Sequence, residues 1–373
     1  MFKKEVVCLE IGSSKLRVIV ASEGVNDTLK IKELASRDYD GYFQSEFVDE
    51  KHLAPHLFEL FNSIDFKSKK YYKKLYISLP AEMCKVVNSS ASVDIEGLGK
   101  ATKNDLDNLS FQAIEKANVD EYEVVSISPI SYAVDDNQLQ NPLGKKGRLL
   151  SGEFSIILCE KTLIEKLNNI FADLGFFNVE YVSEVLCAAL YIVPEEERKE
   201  GAILIDIGHL STSVTYAKND GINSLTSFSI GGGHITNDLS EAFDLVYEDA
   251  EKLKRMVVIS VEADALDYYD LPSVEGRIQR IPQADANAVV SYRLEAIASA
   301  INQCLIIQGI NLSSYVPVYL IGGGASKIKG GKDFLSKCLG RNITLGRAPL
   351  PGKDKPEEAI IYAIADYALK NCE

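Results

Sequence analysis

Two stretches of this chain end an apolar run on an acidic residue and follow it with Ile-Gly and a small polar turn. One is EVVCLEIGSSKLRVIVA, residues 5–21, with Glu10 ahead of Gly12, Ser13, Ser14 and Lys15. The other is GAILIDIGHLSTSVTYA, residues 201–217, with Asp206 ahead of Gly208. The combination suits a phosphate. A glycine lets backbone approach closely, serine hydroxyls and amides donate, and Lys15 brings a cation. A carboxylate beside a phosphate is an outer-sphere partner for Mg²⁺, usually through water. Taken singly, each run reads as the turn of a β-hairpin and no more.

A third turn, Gly322-Gly323-Gly324-Ala325-Ser326-Lys327, lies between an apolar strand and a helix, where three glycines let a phosphate or a flat group rest on backbone. It matches neither G-x-G-x-x-G with its acidic partner nor GxxxxGK[ST], so dinucleotide and P-loop readings fail. Gly231-Gly232-Gly233 leads into a helix and suits a hinge at a cleft. His209 has two readings, a base or phosphate donor and a tolerated turn residue, and the second is the plainer. His52 and His56 share a helix face, but no third metal ligand accompanies them.

These residues need elements to hold them. The two matched hairpins, one per half, predict a duplicated α/β domain with a cleft between the copies. Helical spacing is expected over 103–118, 161–176 (stopping at Gly175), 184–193, 234–245, 247–258 and 291–310, and strands over 74–84, ending at Pro80, and 153–161. At 373 residues the chain exceeds one ordinary core. Its net charge of −14 argues against nucleic acid as the main partner. The seven cysteines show no close pair and read as reduced thiols, several of them in apolar runs. The N-terminus is too short and too acidic for a signal peptide, and no 18-residue apolar window exists.

In order and spacing, the three turns resemble the phosphate and adenosine motifs of the actin/Hsp70/sugar-kinase superfamily. Within it the chain resembles the FtsA family of bacterial cell-division proteins. The resemblance rests on Tyr132, Asp135, Asn141, Pro142 and Gly144 in PISYAVDDNQLQNPLG, and on IGGGHITNDL (230–239), DAEKLKR (249–255), LPSVEGR (271–277) and the acidic Glu10. It implies a two-lobed actin-like α/β fold with duplicated RNase H-like subdomains. The first-lobe core would be 1–84 and 161–200 with a closing helix in 355–373, and an FtsA-type subdomain would be inserted at 85–160. The second-lobe core would be 201–235 and 310–354, with a small subdomain at 236–309.

The resemblance further implies ATP and Mg²⁺ between the lobes. Gly12, Ser13, Ser14, Lys15, Gly208, Gly232, Gly233, Gly322, Gly323, Gly324 and Lys327 would hold the nucleotide, and Glu251 and Lys254 would reach ribose and adenine. Glu10 and Asp206 would attend the metal, Asp206 with a catalytic part. It implies a cytoplasmic protein at the inner face of the membrane at the division site, polymerising with itself and linking the FtsZ ring to the membrane. The FtsZ tail would dock on the small subdomain, where Arg277, Arg280 and Arg293 suit an acidic peptide, and other divisome proteins would use 85–160.

Two departures qualify this. The family run after Asp206 is Gly-Gly-Gly-Thr-x-Asp, whereas here His209, Leu210, Ser211 and Ser213 follow Gly208. A positive φ at His209 or Leu210 would be costly, and the second carboxylate is gone. Nucleotide binding with weak or no hydrolysis is therefore expected. The chain also stops at ALKNCE, so membrane contact through a terminal amphipathic helix requires a segment not in this sequence. The alternative is a pilus-assembly actin homologue of the PilM kind, in which the Asn-Pro-x-Gly and LPSVEGR stretches are not expected.

Overall fold

The computed structural model describes residues 4–372 except 26–27, 40, 45, 48–49, 65–73, 98, 265, 275 and 311–314. The chain opens with β1 (Glu5–Ile11), β2 (Lys15–Glu23) and β3 (Leu29–Asp38), the short pair β4 (Tyr42–Phe43) and β5 (Glu46–Phe47), α1 (Glu50–Asn62) and β6 (Leu75–Leu79). There follow β7 (Lys85–Asp94), α2 (Lys103–Ala117), β8 (Tyr122–Val134), β9 (Asn137–Leu139), β10 (Leu149–Glu160), α3 (Lys161–Asp173), β11 (Val179–Ser183), α4 (Glu184–Ile192) and α5 (Glu195–Glu200). The second half runs β12 (Ala202–Ile207), β13 (Thr212–Lys218), β14 (Gly221–Phe228), α6 (Gly232–Phe243), α7 (Tyr247–Met256), β15 (Tyr268–Pro272), β16 (Ile278–Pro282) and α8 (Gln283–Ile307). It closes with β17 (Val318–Ile321), α9 (Gly331–Leu339), β18 (Ile343–Leu345) and α10 (Ala359–Asn371).

The duplication inferred from the hairpins is visible in the sheets. One is ordered β11-β6-β1-β2-β3 and the other β14-β13-β12-β17-β18. In each, the first strand pairs antiparallel with the second on one side and parallel with a later strand on the other. β1 and β12 are covered on both faces and are buried almost throughout, which is why they read as unbroken apolar runs rather than alternations. β3, at the sheet's edge, alternates between half-buried and exposed.

Between the two sheets lie α4 and α10. Ala188, Ala189 and Ile192 of α4, and Ile361, Tyr362, Ile364 and Ala365 of α10, pack with Cys8 and Ile19 of the first sheet and Leu204 and Ile321 of the second. One apolar core therefore joins the halves at the back of the cleft. A third sheet, β7-β10-β8-β9, is inserted within the first repeat, between β6 and β11, and has its own small core with α2, around Leu109, Ala113, Leu150 and Phe154. α2 starts on a capping box: Thr102 Oγ1 accepts from the Asp105 amide and Asp105 Oδ2 accepts from the Thr102 amide. This sheet also touches the second half directly: Asn219 Nδ2 donates to Ile130 O at 2.6 Å and Asn88 Nδ2 to Asn223 O at 2.8 Å.

The sequence placed a helix at 291–310, but α8 starts at Gln283, directly after Pro282, and ends before Gly309, whose φ is +64°. Its first turn is polar and small, which hid it, although Ala286 and Val290 already face the core. No described helix is long and apolar enough to cross a membrane.

Candidate functional site

The two polar turns face each other across a cavity of about 470 Å³ between the lobes, within the range of small-molecule sites. Both turns close the same way: the Gly12 amide donates to Lys15 O at 3.0 Å, and the Gly208 amide to Ser211 O at 2.9 Å. They also touch, because the Leu210 amide donates to Ser13 Oγ at 3.1 Å across the cleft.

The cavity is walled by Gly12, Ser13, Ser14, Lys15, Glu10, Asp206, Gly208, Gly232, Glu251, Lys254, Gly322, Gly323, Gly324 and Lys327. Of the nucleotide residues expected from sequence, only Gly233 does not reach it. Its amide donates to His209 O at 2.7 Å, and Gly232 does the same to Gly208 O at 2.9 Å. The 231–233 run is thus a packing joint, not a hinge. A Cβ on Gly232 would lie 2.5 Å from the Gly324 Cα. Gly322 has φ +81° and would place a Cβ 2.2 Å from Asp206 Oδ1, so the third turn is pressed against the acidic strand end and must be glycine there.

The floor of the cavity is acidic. Glu10 is buried and ion-paired with Arg17, its direct cross-strand partner. Burial raises the Glu10 carboxyl, and Arg17 opposes the rise. Burial, aided by Glu10 and opposed by Arg17, pushes Asp206 up to about 7. Glu184, the first residue of α4, accepts from the Ala81 amide at 2.8 Å and is raised well above the carboxylate range by burial and then by Asp206. Buried oxygens Glu10 Oε2 and Asp206 Oδ1 have no partner, a donor set that fits a hydrated cation. Among the described residues no three acidic, His or Cys side chains converge at metal-ligand spacing, so such an ion would also need water and phosphate oxygens.

The altered loop is quiet. Neither His209 nor Leu210 has a positive φ, so the expected backbone strain is absent. The His209 ring turns away from the opposite loop, with Nε2 3.1 Å from Tyr247 Oη and the rings edge to face. Burial and Lys254 lower its pKa and keep it neutral. His56 accepts from Arg37 Nε at 2.9 Å, whereas the His52 side chain lies outside the described residues.

Lys254 is buried, and its ammonium donates to Gly232 O at 2.9 Å and Thr236 Oγ1 at 2.7 Å and pairs with Glu251 at 2.5 Å. Its three donors are committed, so Glu251 is the member of the pair better able to meet a ligand. At the rim, Lys15 pairs with Asp38 at 2.8 Å and Lys327 with Glu357 at 3.2 Å. Of the arginines, Arg277 is exposed ahead of β16. Arg280 stacks over Tyr268 at 4.3 Å. Arg293 grips Asp238 through two bonds of 2.6 and 2.7 Å beside a groove lined by Glu241, Val289 and Tyr292.

Sequence reading missed Arg17 and Glu184. Arg17 stands as far after the turn as Glu10 stands before it, so counting the hairpin register would have paired them. Glu184 was absorbed into an apolar helix, although Ser183-Glu184 is a helix start, with the Ser183 hydroxyl capping the Leu186 amide.

Two family models match the chain: cell division protein FtsA over residues 203–364, and the SHS2 domain inserted in FtsA over 82–158. The cell division protein FtsA of Enterococcus hirae is 23% identical over 373 residues, covering 98% of this chain and 84% of that one. Among solved structures, the PilM–PilN type IV pilus biogenesis complex aligns with TM-score 0.67 at 18% identity, over 98% of this chain and 99% of the other. MreB 5 of Spiroplasma citri bound to AMPPNP aligns with TM-score 0.57 at 12% identity, over 96% and 94%. At those identities the structures establish the fold alone, a two-lobed actin-like architecture, and the SHS2 match falls on the sheet inserted within the first repeat.

Proposed function

From its membership of the FtsA family of actin-like cell-division proteins, we infer that this chain binds ATP between its lobes and hydrolyses it slowly or not at all. One observation carries the reading: two matched turns, each behind a carboxylate, face one cavity with unpartnered oxygens on Glu10 and Asp206. Mg²⁺, when bound, would neutralise phosphate charge there. Glu10 and Asp206 would hold its water shell, the Ser13 and Ser14 backbone and hydroxyls would orient the phosphates, and Glu251 would meet the ribose. The nucleotide itself takes the place of the bond between Ser13 and Leu210.

Slow chemistry follows from the residues present. Ser213 stands where the family has a carboxylate, and the buried Glu184, which burial and Asp206 hold as the neutral acid, is a poor base for water. We divide the chain as first-lobe core 1–84, 161–200 and 355–373, insertion 85–160, second-lobe core 201–235 and 310–354, and small subdomain 236–309. The last would receive an acidic FtsZ tail at Arg277, Arg280 and the Arg293 groove. Self-assembly through the lobes, contact of 85–160 with other divisome proteins, and a cytoplasmic place at the inner membrane face complete the reading. The likeness to PilM is one of fold and gives no separate support to a pilus role.

The test is calorimetric titration with ATP and ADP, with turnover measured on the same protein. Stabilising binding without rapid phosphate release is expected. Absence of binding, or fast turnover abolished by Asp206→Asn, refutes it.

A further inference from the structure

Glu10 and Arg17 are opposite one another in the β1–β2 register, and the guanidinium Nη1 donates to Glu10 Oε1. Their side chains are 5% and 16% exposed, so the pair is withdrawn from bulk water and weakly screened. Arg17 nevertheless lines the same cavity as Asp206 and the serine turn. Among the described residues its one hydrogen bond is to Glu10, and a guanidinium has five N–H donors in a rigid fork that cannot be deprotonated. A permanent cation with free donors therefore sits on the floor where phosphate charge would rest. A divalent ion approaching Glu10 must share that carboxylate with it, and no ready-made set of three ligands is present among the described residues to compensate.

We propose that Arg17 is the resident cation of this site, holding phosphate charge beside Glu10 and Asp206, so that a nucleoside diphosphate binds with little dependence on Mg²⁺. The proposal rests on the nucleotide reading above and assigns the main electrostatic part of that site to a side chain. It also gives a reason for the acid at position 10 to be long: a glutamate on β1 reaches the guanidinium of its cross-strand neighbour.

The experiment is titration of the full chain with ADP in excess Mg²⁺ and again in EDTA. Affinity should agree between the two within about threefold, a small difference on the free-energy scale. Arg17→Gln alone would strand a buried Glu10, so two further variants are compared. Glu10→Gln releases Arg17 and should tighten binding in EDTA. Glu10→Gln with Arg17→Gln leaves neither partner charged and should bind in EDTA at least about tenfold more weakly than Glu10→Gln, the worth of one charge-assisted contact. Thermal unfolding confirms that each variant is folded. A wild-type affinity that falls more than about tenfold in EDTA, or equal EDTA binding by the two variants, overturns the proposal. ADP binding in neither buffer overturns the nucleotide reading and this proposal with it.

Discussion

Asp206→Asn isolates the electrostatic state of the cleft floor. Burial raises Asp206 from 3.8 to about 7, with Glu10 adding to the rise and Arg17 opposing it. A carboxyl whose pKa is higher in the folded state binds its proton more tightly there. Its stabilising contribution is complete below pH 3.8 and is lost as pH rises through about 7. The full shift corresponds to about 4 kcal/mol at 1.36 kcal/mol per unit. Asp206 as a residue is half-buried and lines the cavity, though its Oδ1 is buried, so water there reduces the effect to about 2 kcal/mol. Asparagine keeps the shape and cannot ionise. In ligand-free protein the variant should match wild type near pH 4 and exceed it by about 2 kcal/mol at pH 8. Urea unfolding of both proteins across that range reads the difference directly. A gap that is flat with pH, or one in which the variant is weaker at pH 8, refutes the argument that Asp206 is held as a strained carboxylate.

Ser13→Ala removes the acceptor of the Leu210 amide, and ligand-free stability should fall by about 1 kcal/mol in urea unfolding; no loss would mean that water replaces the hydroxyl there. Arg198 is buried and donates to Val193 O, Leu190 O and Asn219 O while pairing with Asp220; Arg198→Ala should cost roughly 3 kcal/mol in urea unfolding, and a loss under about 1 kcal/mol would show that those carbonyls re-pair with water. Glu184 is held as the neutral acid, so Glu184→Gln should leave residual ATP turnover and ADP affinity within about threefold; loss of turnover would show that Glu184 ionises and acts as a base. Arg293→Glu sets a third acid beside Asp238 and Glu241 and should weaken fluorescence-detected binding of an acidic FtsZ-tail peptide by about tenfold or more; unchanged binding takes Arg293 out of the docking site.

The frame was legible because it repeats. Two hairpins with an acid before Ile-Gly are a long-range signal made of local pieces, and each piece follows from strand periodicity and turn chemistry. The third turn could be placed because Gly322, Gly323 and Gly324 fall between an apolar strand and a helix. The cavity's charge was harder to see, because it is made by partners that no single segment contains. Arg17 read as one polar position in an alternating strand, and only pairing β1 with β2 sets it against Glu10. Glu184 comes from α4, far along the chain, and acquires its character from burial next to Asp206. Lys254 was expected at the base, yet its ammonium is turned inward to Gly232 and Thr236, a choice set by the packing of α7 on α6.

The loop at 208–213 shows how a motif can change without its frame changing. Losing two glycines need not strain a turn whose φ values stay negative, and here the turn is closed by the same Gly-to-i+3 bond as its unaltered twin at 12–15. His209 sends its carbonyl to Gly233 and its ring to Tyr247, which ties the loop to the heads of α6 and α7. The Leu210 amide of the same loop donates to Ser13. A loop so anchored keeps the cleft's shape, and Ser211 and Ser213 are the loop hydroxyls that line the cavity. The electrostatic work then falls to the opposite hairpin, where Arg17 and Glu10 lie. The two hairpins therefore differ in kind: the second is tied by its loop to the heads of two helices, and the first sets a buried ion pair on the cavity floor.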